Sequence, residues 1–222
     1  MATSTVEDYV KAIYLLQQDA PTGEATVARL AATLGVTKGS VTSMVRKLRD
    51  ADLVHAERYG GIRLTSKGAA LALDMIRRHR LVEVFLVETL GFDWAEVHDE
   101  AERLEHALSA KVLDRLDAFL GRPSIDPHGD PIPDAEGRLE ADAATPLAEL
   151  AAGDEGLVAR VSDQDPGFLE FAATHGLRPG TRVEVVDVVA QAESMSVRAD
   201  RKDAVSLSLH AARKILVHRP ER

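Results

Sequence analysis

The 222-residue sequence contains no cysteine. Disulfides and thiolate metal sites are therefore excluded, and any metal site has to be built from histidine, carboxylate and carbonyl donors. No apolar run approaches the roughly 20 residues that span a bilayer, so no membrane partner is expected. Met1 to Lys11 lacks the charged-then-apolar pattern of an export signal. Together these absences point to a cytoplasmic chain. Signatures of catalysis are missing as well. Neither His-Glu-x-x-His nor its mirror His-x-x-Glu-His occurs, and the residue three before His106 is Arg103, not the glutamate of a di-iron bundle motif. There is no glycine-rich phosphate loop, no nucleophile elbow and no internal repeat, so the chain is not read as an enzyme.

Positive charge is also in deficit, with a formal net charge of −9. Its distribution tempers that figure. Residues 1–70 carry nine Lys/Arg against seven Asp/Glu, whereas residues 71–222 carry 18 against 29. Within residues 37–67 the count is seven basic to three acidic. A local basic footprint is compatible with nucleic acid even when the whole chain is acidic. At 45% hydrophobic and 28% charged, the composition suits a protein with a buried core.

Ser4-Thr5-Val6-Glu7 reads as a capping box opening an amphipathic helix, with Tyr9, Val10, Ile13, Leu15 and Leu16 apolar and Pro21 and Gly23 ending it. Thr26 opens a short second helix, Leu34-Gly35-Val36 makes a turn, and Thr37 begins a third helix burying Val41, Met44, Val45 and Leu48. Strand candidates Leu53–Glu57 and Ile62–Leu64 flank the turn signal Tyr59-Gly60-Gly61. That order is a winged helix-turn-helix. Thr65 or Ser66 caps a helix expected to reach Gly91. Asp93-Trp94-Ala95-Glu96 is a second capping box, predicting one helix to about Gly121 with a stripe of Trp94, Val97, Ala101, Leu104, Leu108, Val112 and Leu116. Residues 122–146 hold five of the nine prolines and show no period, so they read as an extended linker. Beyond it, Gly156–Val161, Arg182–Val186, Ser194–Val197 and Ala204–Leu207 read as strands of a small β-barrel, with a helix near Phe168 to His175.

On the third helix Thr37, Lys38, Gly39, Ser40, Thr42, Ser43, Arg46 and Lys47 form the candidate DNA-reading set, with Arg58 and Arg63 on the wing reaching the backbone. Slim polar side chains suit base edges and cations suit phosphates. The plainer alternative is that Thr37 is only a cap and the cations a solvated face, the winged helix serving as a protein-interaction module. Metal donors cluster further on. His79 and Glu83 stand four apart on one helix face, and His98, Glu102, Glu105 and His106 fall within about two turns. Asp8 lies on the first helix, and Asp126 and His128 lie in the linker. Mixed imidazole and carboxylate donors suit divalent transition ions. A solvated, glutamate-rich face is the alternative. His55, His175, His210 and His218 lack such neighbours and are read as structural.

Val6-Glu7-Asp8-Tyr9, Leu64-Thr65-Ser66-Lys67-Gly68, Arg78-His79-Arg80-Leu81-Val82-Glu83, Val97 through His106, and Pro127-His128-Gly129-Asp130-Pro131-Ile132-Pro133 together carry a resemblance. In element order and in these stretches the chain resembles the iron- and manganese-dependent repressors named for the diphtheria toxin repressor. Its tail is similar to the SH3-like domain shared with ferrous-iron transport proteins. The resemblance implies a first metal site of Asp8, Glu102, Glu105 and His106. It implies a second of His79, Glu83 and His98, joined by Asp126 and His128, with Asp163 or Asp165 as a carboxylate from the barrel. Iron-responsive members carry Met and Cys where this chain has Asp8 and Glu102, and manganese-responsive members carry Asp and Glu. The shortest manganese sensors have Glu where this chain has Lys11, so their close-spaced two-metal arrangement does not transfer.

The expected fold is mainly α with small β: a winged helix-turn-helix over residues 1–70, a helical dimerisation and metal-binding domain over 71–140, and an SH3-like β-barrel over 141–222. The expected function is a Mn²⁺-dependent repressor that binds double-stranded operator DNA as a homodimer and controls metal homeostasis. An Fe²⁺-dependent repressor, or an interaction module with a structural metal site, are the alternatives, and Zn²⁺, Co²⁺ or Cd²⁺ would fill the sites in vitro.

Overall fold

The computed structural model describes residues 3–18, 20, 22–56, 60–140, 142–162, 165–200 and 203–220. The chain divides into two units, residues 1–78 with 133–138, and residues 79–132 with 139–222.

The first unit contains α1 (Ser4–Gln18), α2 (Val27–Thr33), α3 (Lys38–Asp50), β1 (Val54–Ala56), β2 (Ile62–Leu64) and the first half of α4 (Ser66–Val84). Capping begins α2 and α3 as expected, whereas α1 already includes Ser4, the residue read as its cap. Thr26 Oγ1 accepts from Arg29 N–H, and Thr37 Oγ1 accepts from Ser40 N–H, each satisfying a backbone donor that the first turn leaves without a helical partner. Ile13, Leu30, Val41, Leu48 and Ile62 share one core. β1 and β2 pair antiparallel with His55 opposite Arg63, and Ala25 adds a bridge to Ile62. The hairpin tip, including Glu57, Arg58 and Tyr59, lies outside the described residues.

The Thr65-to-Gly68 stretch fastens α4 to the turn after α3. Thr65 N–H donates to Leu53 O, Thr65 Oγ1 donates to Asp52 O, and Lys67 Nζ donates to Ala51 O. Thr65 Oγ1 also accepts from Gly68 N–H as the helix cap. Gly68 is required here by close approach, because a Cβ on it would overlap the carbonyl group of Leu53.

In the second unit the helix expected from Asp93 to Gly121 is broken. Trp94 to Glu96 form a turn, α5 covers Val97–Leu104, a 3₁₀ turn covers Glu105–Ala107, and α6 covers Ala110–Phe119. Leu108 is extended, and Ser109 caps α6 by accepting from Val112 N–H. A serine that offers the backbone a cap competes with helix continuation. The expected stripe is consequently dispersed: Trp94 enters the barrel core, Val97 and Ala101 pack with Val82 and Leu86, and Leu104 and Val112 are exposed. α4 reaches Val84 and passes into a π-helical turn, Phe85–Thr89.

The barrel segment is a six-stranded antiparallel sheet in the order β3-β8-β4-β5-β6-β7. Its strands are β3 (Thr145–Pro146), β4 (Glu155–Val161), β5 (Arg182–Val189), β6 (Ser194–Ala199), β7 (Val205–Ser208) and β8 (Ile215–His218), with α7 (Pro166–Thr174) and α8 (Leu209–Arg213) between them. Val158, Leu169, Val185, Met195, Ile215 and Val217 fill its core around Trp94.

The proline-rich segment is packed, in contrast to the extended linker expected. Asp126 Oδ1 accepts from the N–H groups of His128 and Asp130, closing a tight turn bounded by an Ile125–Pro131 bridge. Val161 N–H donates to His128 O, and Gly129, at φ +89°, leaves no room for a Cβ against Ala159 O. In the first unit, Gly68→Ala is expected to lower stability by about 1–3 kcal/mol through overpacking, measured by urea denaturation. A loss below about 0.5 kcal/mol, the usual range of a surface change, would mean the Leu53 contact is not the constraint.

Candidate metal centre and reading helix

His79 and Glu83 lie one turn apart on α4, which puts both on the same face. His98 opens α5, Glu102 follows one turn later, and Glu105 and His106 form the 3₁₀ turn. His79 Nε2 is 3.0 Å from Glu83 Oε1 and 3.0 Å from His98 Nδ1, and His98 Nδ1 is 3.4 Å from the same Glu83 oxygen. On its other side His79 Nδ1 donates to Glu105 Oε2 at 2.6 Å. Protonated, the ring donates from both nitrogens, to Glu105 and to Glu83; in the neutral form a cation would require, the Glu105 contact keeps the proton on Nδ1 and turns the lone pair of Nε2 toward Glu83 and His98. Glu102 Oε1 lies 3.8 Å from His79 Nδ1 and 3.7 Å from His98 Nε2, and His106 Nε2 lies 3.8 Å from Glu105 Oε1.

The linker turn supplies the third imidazole. His128 Nε2 donates to Trp94 O at 2.9 Å, which leaves Nδ1 as the acceptor nitrogen, 3.9 Å from Glu83 Oε2. Trp94 Nε1 donates to Pro127 O at 2.6 Å, the Trp94 and His128 rings lie 5.0 Å apart, and the Arg178 guanidinium sits 5.0 Å over the indole. A carbonyl that fixes the far nitrogen of a histidine is the usual support for an imidazole ligand.

Electrostatics inside this cluster are strained by burial. Glu83, Glu105, Asp126 and His128 are 2%, 0%, 6% and 6% exposed. Burial alone pushes the Glu83 carboxyl up, but the charge of His79 and hydrogen bonds from His79 and His98 outweigh it and hold the group well below the usual carboxylate range. Asp126 goes the other way. Burial raises it well above its ordinary value, the neighbouring Asp130 and Glu83 carboxylates add to that, and Arg80 with the Asp130 amide opposes it. Arg80 is the residue that sequence reasoning missed. It lies 3.6 Å from Asp126 Oδ2 and 3.5 Å from Asp130 Oδ1, and donates to Pro131 O. Its position directly after His79 was the one available signal.

The donors fit a hard or borderline divalent ion. Cis donors at roughly 2.2 Å from an octahedral ion stand about 3.1 Å apart, and the His79–Glu83–His98 spacings are 3.0, 3.0 and 3.4 Å. Asp126, His128 and Glu83 also offer donor atoms within 4.8 Å of one another. Asp8 lies on α1, half-buried, in the first unit. Asp163 lies outside the described residues. Asp165 caps α7 by accepting from Phe168 N–H.

On α3, Thr37, Lys38, Gly39, Ser40, Thr42, Ser43, Arg46 and Lys47 are all exposed, opposite buried Val41, Val45 and Leu48. Thr42 Oγ1 donates to Lys38 O, and the Thr37 and Ser40 hydroxyls bond each other. Arg63 is exposed and pairs with Glu24 at 2.8 Å, donating also to Thr22 O.

A winged helix joined to a helical segment with a buried imidazole–carboxylate cluster, followed by a small antiparallel barrel, defines a metal-binding regulator of the winged-helix class. Three family descriptions match along the chain. They are the iron dependent repressor N-terminal DNA binding domain over residues 1–62, its metal binding and dimerisation domain over residues 65–134, and the FeoA domain over residues 145–219. The chain belongs to the diphtheria toxin repressor family of metal-dependent repressors. It is 38% identical over 129 residues to the iron-dependent repressor IdeR of Mycobacterium tuberculosis (strain ATCC 25618 / H37Rv). That match takes in 58% of this chain and spans about half, 55%, of the curated relative. The diphtheria toxin repressor of Corynebacterium jeikeium (strain K411) is 29% identical over 220 residues, 88% of this chain and 89% of that protein. A solved manganese-dependent transcriptional repressor in complex with manganese is 40% identical, with a TM-score of 0.90 over 97% of this chain and 100% of that one.

Trp94 is the single tryptophan and lies against His128, so Mn²⁺ titration is expected to quench its emission. His128→Gln should remove most of that response. Unchanged emission at saturating Mn²⁺, verified by dialysis, would mean the ion does not reach His128.

Proposed function

We propose that this chain is a manganese-dependent transcriptional repressor, cytoplasmic and homodimeric, that binds operator DNA when metal-loaded and controls metal-homeostasis genes. The observation that carries the reading is the sulfur-free donor set, buried at His79, Glu83 and Glu105 and half-buried at His98, Glu102 and His106, in a chain that also carries an exposed reading helix. Oxygen-rich sites without thiolate or thioether suit Mn²⁺ better than softer ions. The solved relative bound to manganese supports the same choice. Fe²⁺ is the second reading, favoured by the iron-dependent relatives, because geometry rather than raw affinity separates the two ions.

The primary ligands in this proposal are Glu102, Glu105 and His106, with Asp8 as the ligand the family resemblance assigns to α1. His79, Glu83 and His98 form the second site, with Asp126 and His128 beside it, and that site holds the barrel turn in place. When bound, the ion supplies positive charge that draws these carboxylates together. The chain's own residues do the rest: His79 orients Glu105, the Trp94 carbonyl orients His128, and α3 presents its polar face to the major groove. Metal favours the DNA-competent state, and a coupling of about 1–3 kcal/mol changes affinity about 5–150-fold. The homodimer is supported by exposed apolar side chains in the helical segment, among them Leu90, Leu104, Val112 and Phe119. No helix among the described residues is long and apolar enough to cross a membrane.

Fluorescence-polarisation binding to the promoter of a neighbouring metal-transport gene tests the proposal. At fixed salt, affinity is expected to be low in chelator and to rise about 5–150-fold with Mn²⁺. Glu105→Ala should lose that increment, and equal affinity with and without metal would refute metal sensing while leaving DNA binding intact. A second expectation separates the roles on α3. Arg46→Ala and Lys47→Ala should weaken binding to any sequence and reduce the salt slope by about one each, whereas Thr42→Ala and Ser43→Ala should shift sequence preference by about 1–3 kcal/mol. The reverse pattern would overturn this orientation of the reading helix.

A further inference from the structure

The two wing strands are three residues each, and a two-stranded hairpin is marginal in water by itself. The register shows where its remaining support comes from. Ile62 stands opposite Ala56, yet it spends both its N–H and its C=O on Ala25, at 2.8 and 3.0 Å. Residues two apart in an antiparallel ladder bond on the same side, so Leu64 also turns its amide away from β1. Ala25 forms an isolated bridge and does not extend to Leu64. The side chain of Gln17 takes that place. Its Oε1 accepts from Leu64 N–H at 3.1 Å, and its Nε2 donates to Gly23 O at 3.0 Å. Arg63, between Ile62 and Leu64, closes the same seam from outside, donating to Glu24 Oε1 at 2.8 Å and to Thr22 O at 2.9 Å.

A carboxamide suits this position because it accepts and donates at once, whereas a carboxylate only accepts and an apolar side chain does neither. Gln17 is half-buried, where a backbone amide left without a partner is costly. It sits in the last turn of α1, and Asp8 lies on the same helix nine residues earlier, about 14 Å along the axis. No glycine or proline interrupts α1 between them, so the usual causes of a kink are missing. Ile13, between the two positions, shares its core with Ile62 of the wing. The helix therefore links its Asp8 end to β2 through side-chain packing and through the two bonds of Gln17.

We propose that Gln17 is a positioning residue for DNA binding: it locks the wing to the end of α1, so that an ion held through Asp8 orders the wing as well as the reading helix. The inference rests on the metal-dependent reading above, in which Asp8 is a ligand, and adds the wing as a second element under control of the ion. The wing's share of the DNA contact is with phosphates, which position the protein and carry salt dependence without sequence preference.

The test is hydrogen exchange of the full-length protein with and without Mn²⁺, read by mass spectrometry on peptides from α1 and from β2. Equilibrium dialysis counts bound Mn²⁺, and fluorescence polarisation follows operator binding across a salt series. The variant is Gln17→Met, which keeps the length and the helix preference but can bond neither backbone group. In wild type, Mn²⁺ should slow exchange in both peptides, by about 5–150-fold at β2. In Gln17→Met, Mn²⁺ uptake and the slowing at α1 should persist while the slowing at β2 disappears. Operator affinity should fall on any sequence, with the salt slope reduced by about one. A merely structural role would speed exchange in both peptides together and leave the Mn²⁺ response of β2 in place. A Gln17→Met wing that responds to Mn²⁺ as wild type does would overturn the proposal. So would a wild-type wing that ignores Mn²⁺ while α1 responds, a result that needs no variant. Wild type that binds Mn²⁺ without any response at α1 would overturn the assignment of Asp8 and this inference with it, and wild type that takes up no Mn²⁺ would overturn the metal-binding reading itself.

Discussion

Burying a carboxylate and leaving it unanswered costs several kcal/mol, and the second unit is organised around that constraint. Glu83 and Glu105 project from neighbouring helical segments with almost no exposure. His79 stands between them, one ring nitrogen on each. Through this one imidazole the two donor groups assigned to separate sites share a side chain, so the placement of Glu105 is tied to that of Glu83. His98 and His128 then close around Glu83 from α5 and from the linker turn.

The turn itself is held from both directions. Asp126 folds it by accepting from two amides, Arg80 neutralises its outer edge, and Val161 N–H and the close approach at Gly129 fix it to β4. Trp94 connects these contacts. Its indole fills the barrel core, its Nε1 binds Pro127 O and its carbonyl sets the His128 ring. Truncating a buried aromatic of this size typically costs 3–5 kcal/mol. Here it would also release the orientation of a candidate ligand, so packing and site chemistry are not separable at this residue.

The first unit follows simpler rules. Its helices α2, α3 and α4 begin where threonine caps stand, and its core is filled by side chains whose spacing gives them one face. The same spacing leaves the hydroxyl and cationic residues of α3 in solvent. Local hydrogen bonds modify that picture in detail. Thr42 is tied to Lys38 O and Arg63 to Glu24.

Local signals in the sequence were sufficient wherever structure is decided within a few residues. The caps at Thr26, Thr37 and Thr65, the buried face of α3, the β1–β2 pairing and the i,i+4 partnership of His79 with Glu83 depend only on neighbours along the chain. The donor types, histidine and carboxylate without sulfur, were fixed there too. Tertiary structure decided what depends on distant partners. A continuous apolar period from Trp94 to Leu116 could not reveal that Ser109 would cap a new helix or that Trp94 would be drawn into the barrel. The Ile215–His218 strand, a central member of the sheet, was missed because it is short and lies directly after α8, without a turn signal to set it off. Arg80 carries no motif of its own and became part of the site only when the linker turn was folded against it. The proline-rich linker lacks a period because its order comes from Asp126, Arg80 and β4 rather than from its own repeat, and contacts of that kind exist only once the chain is folded.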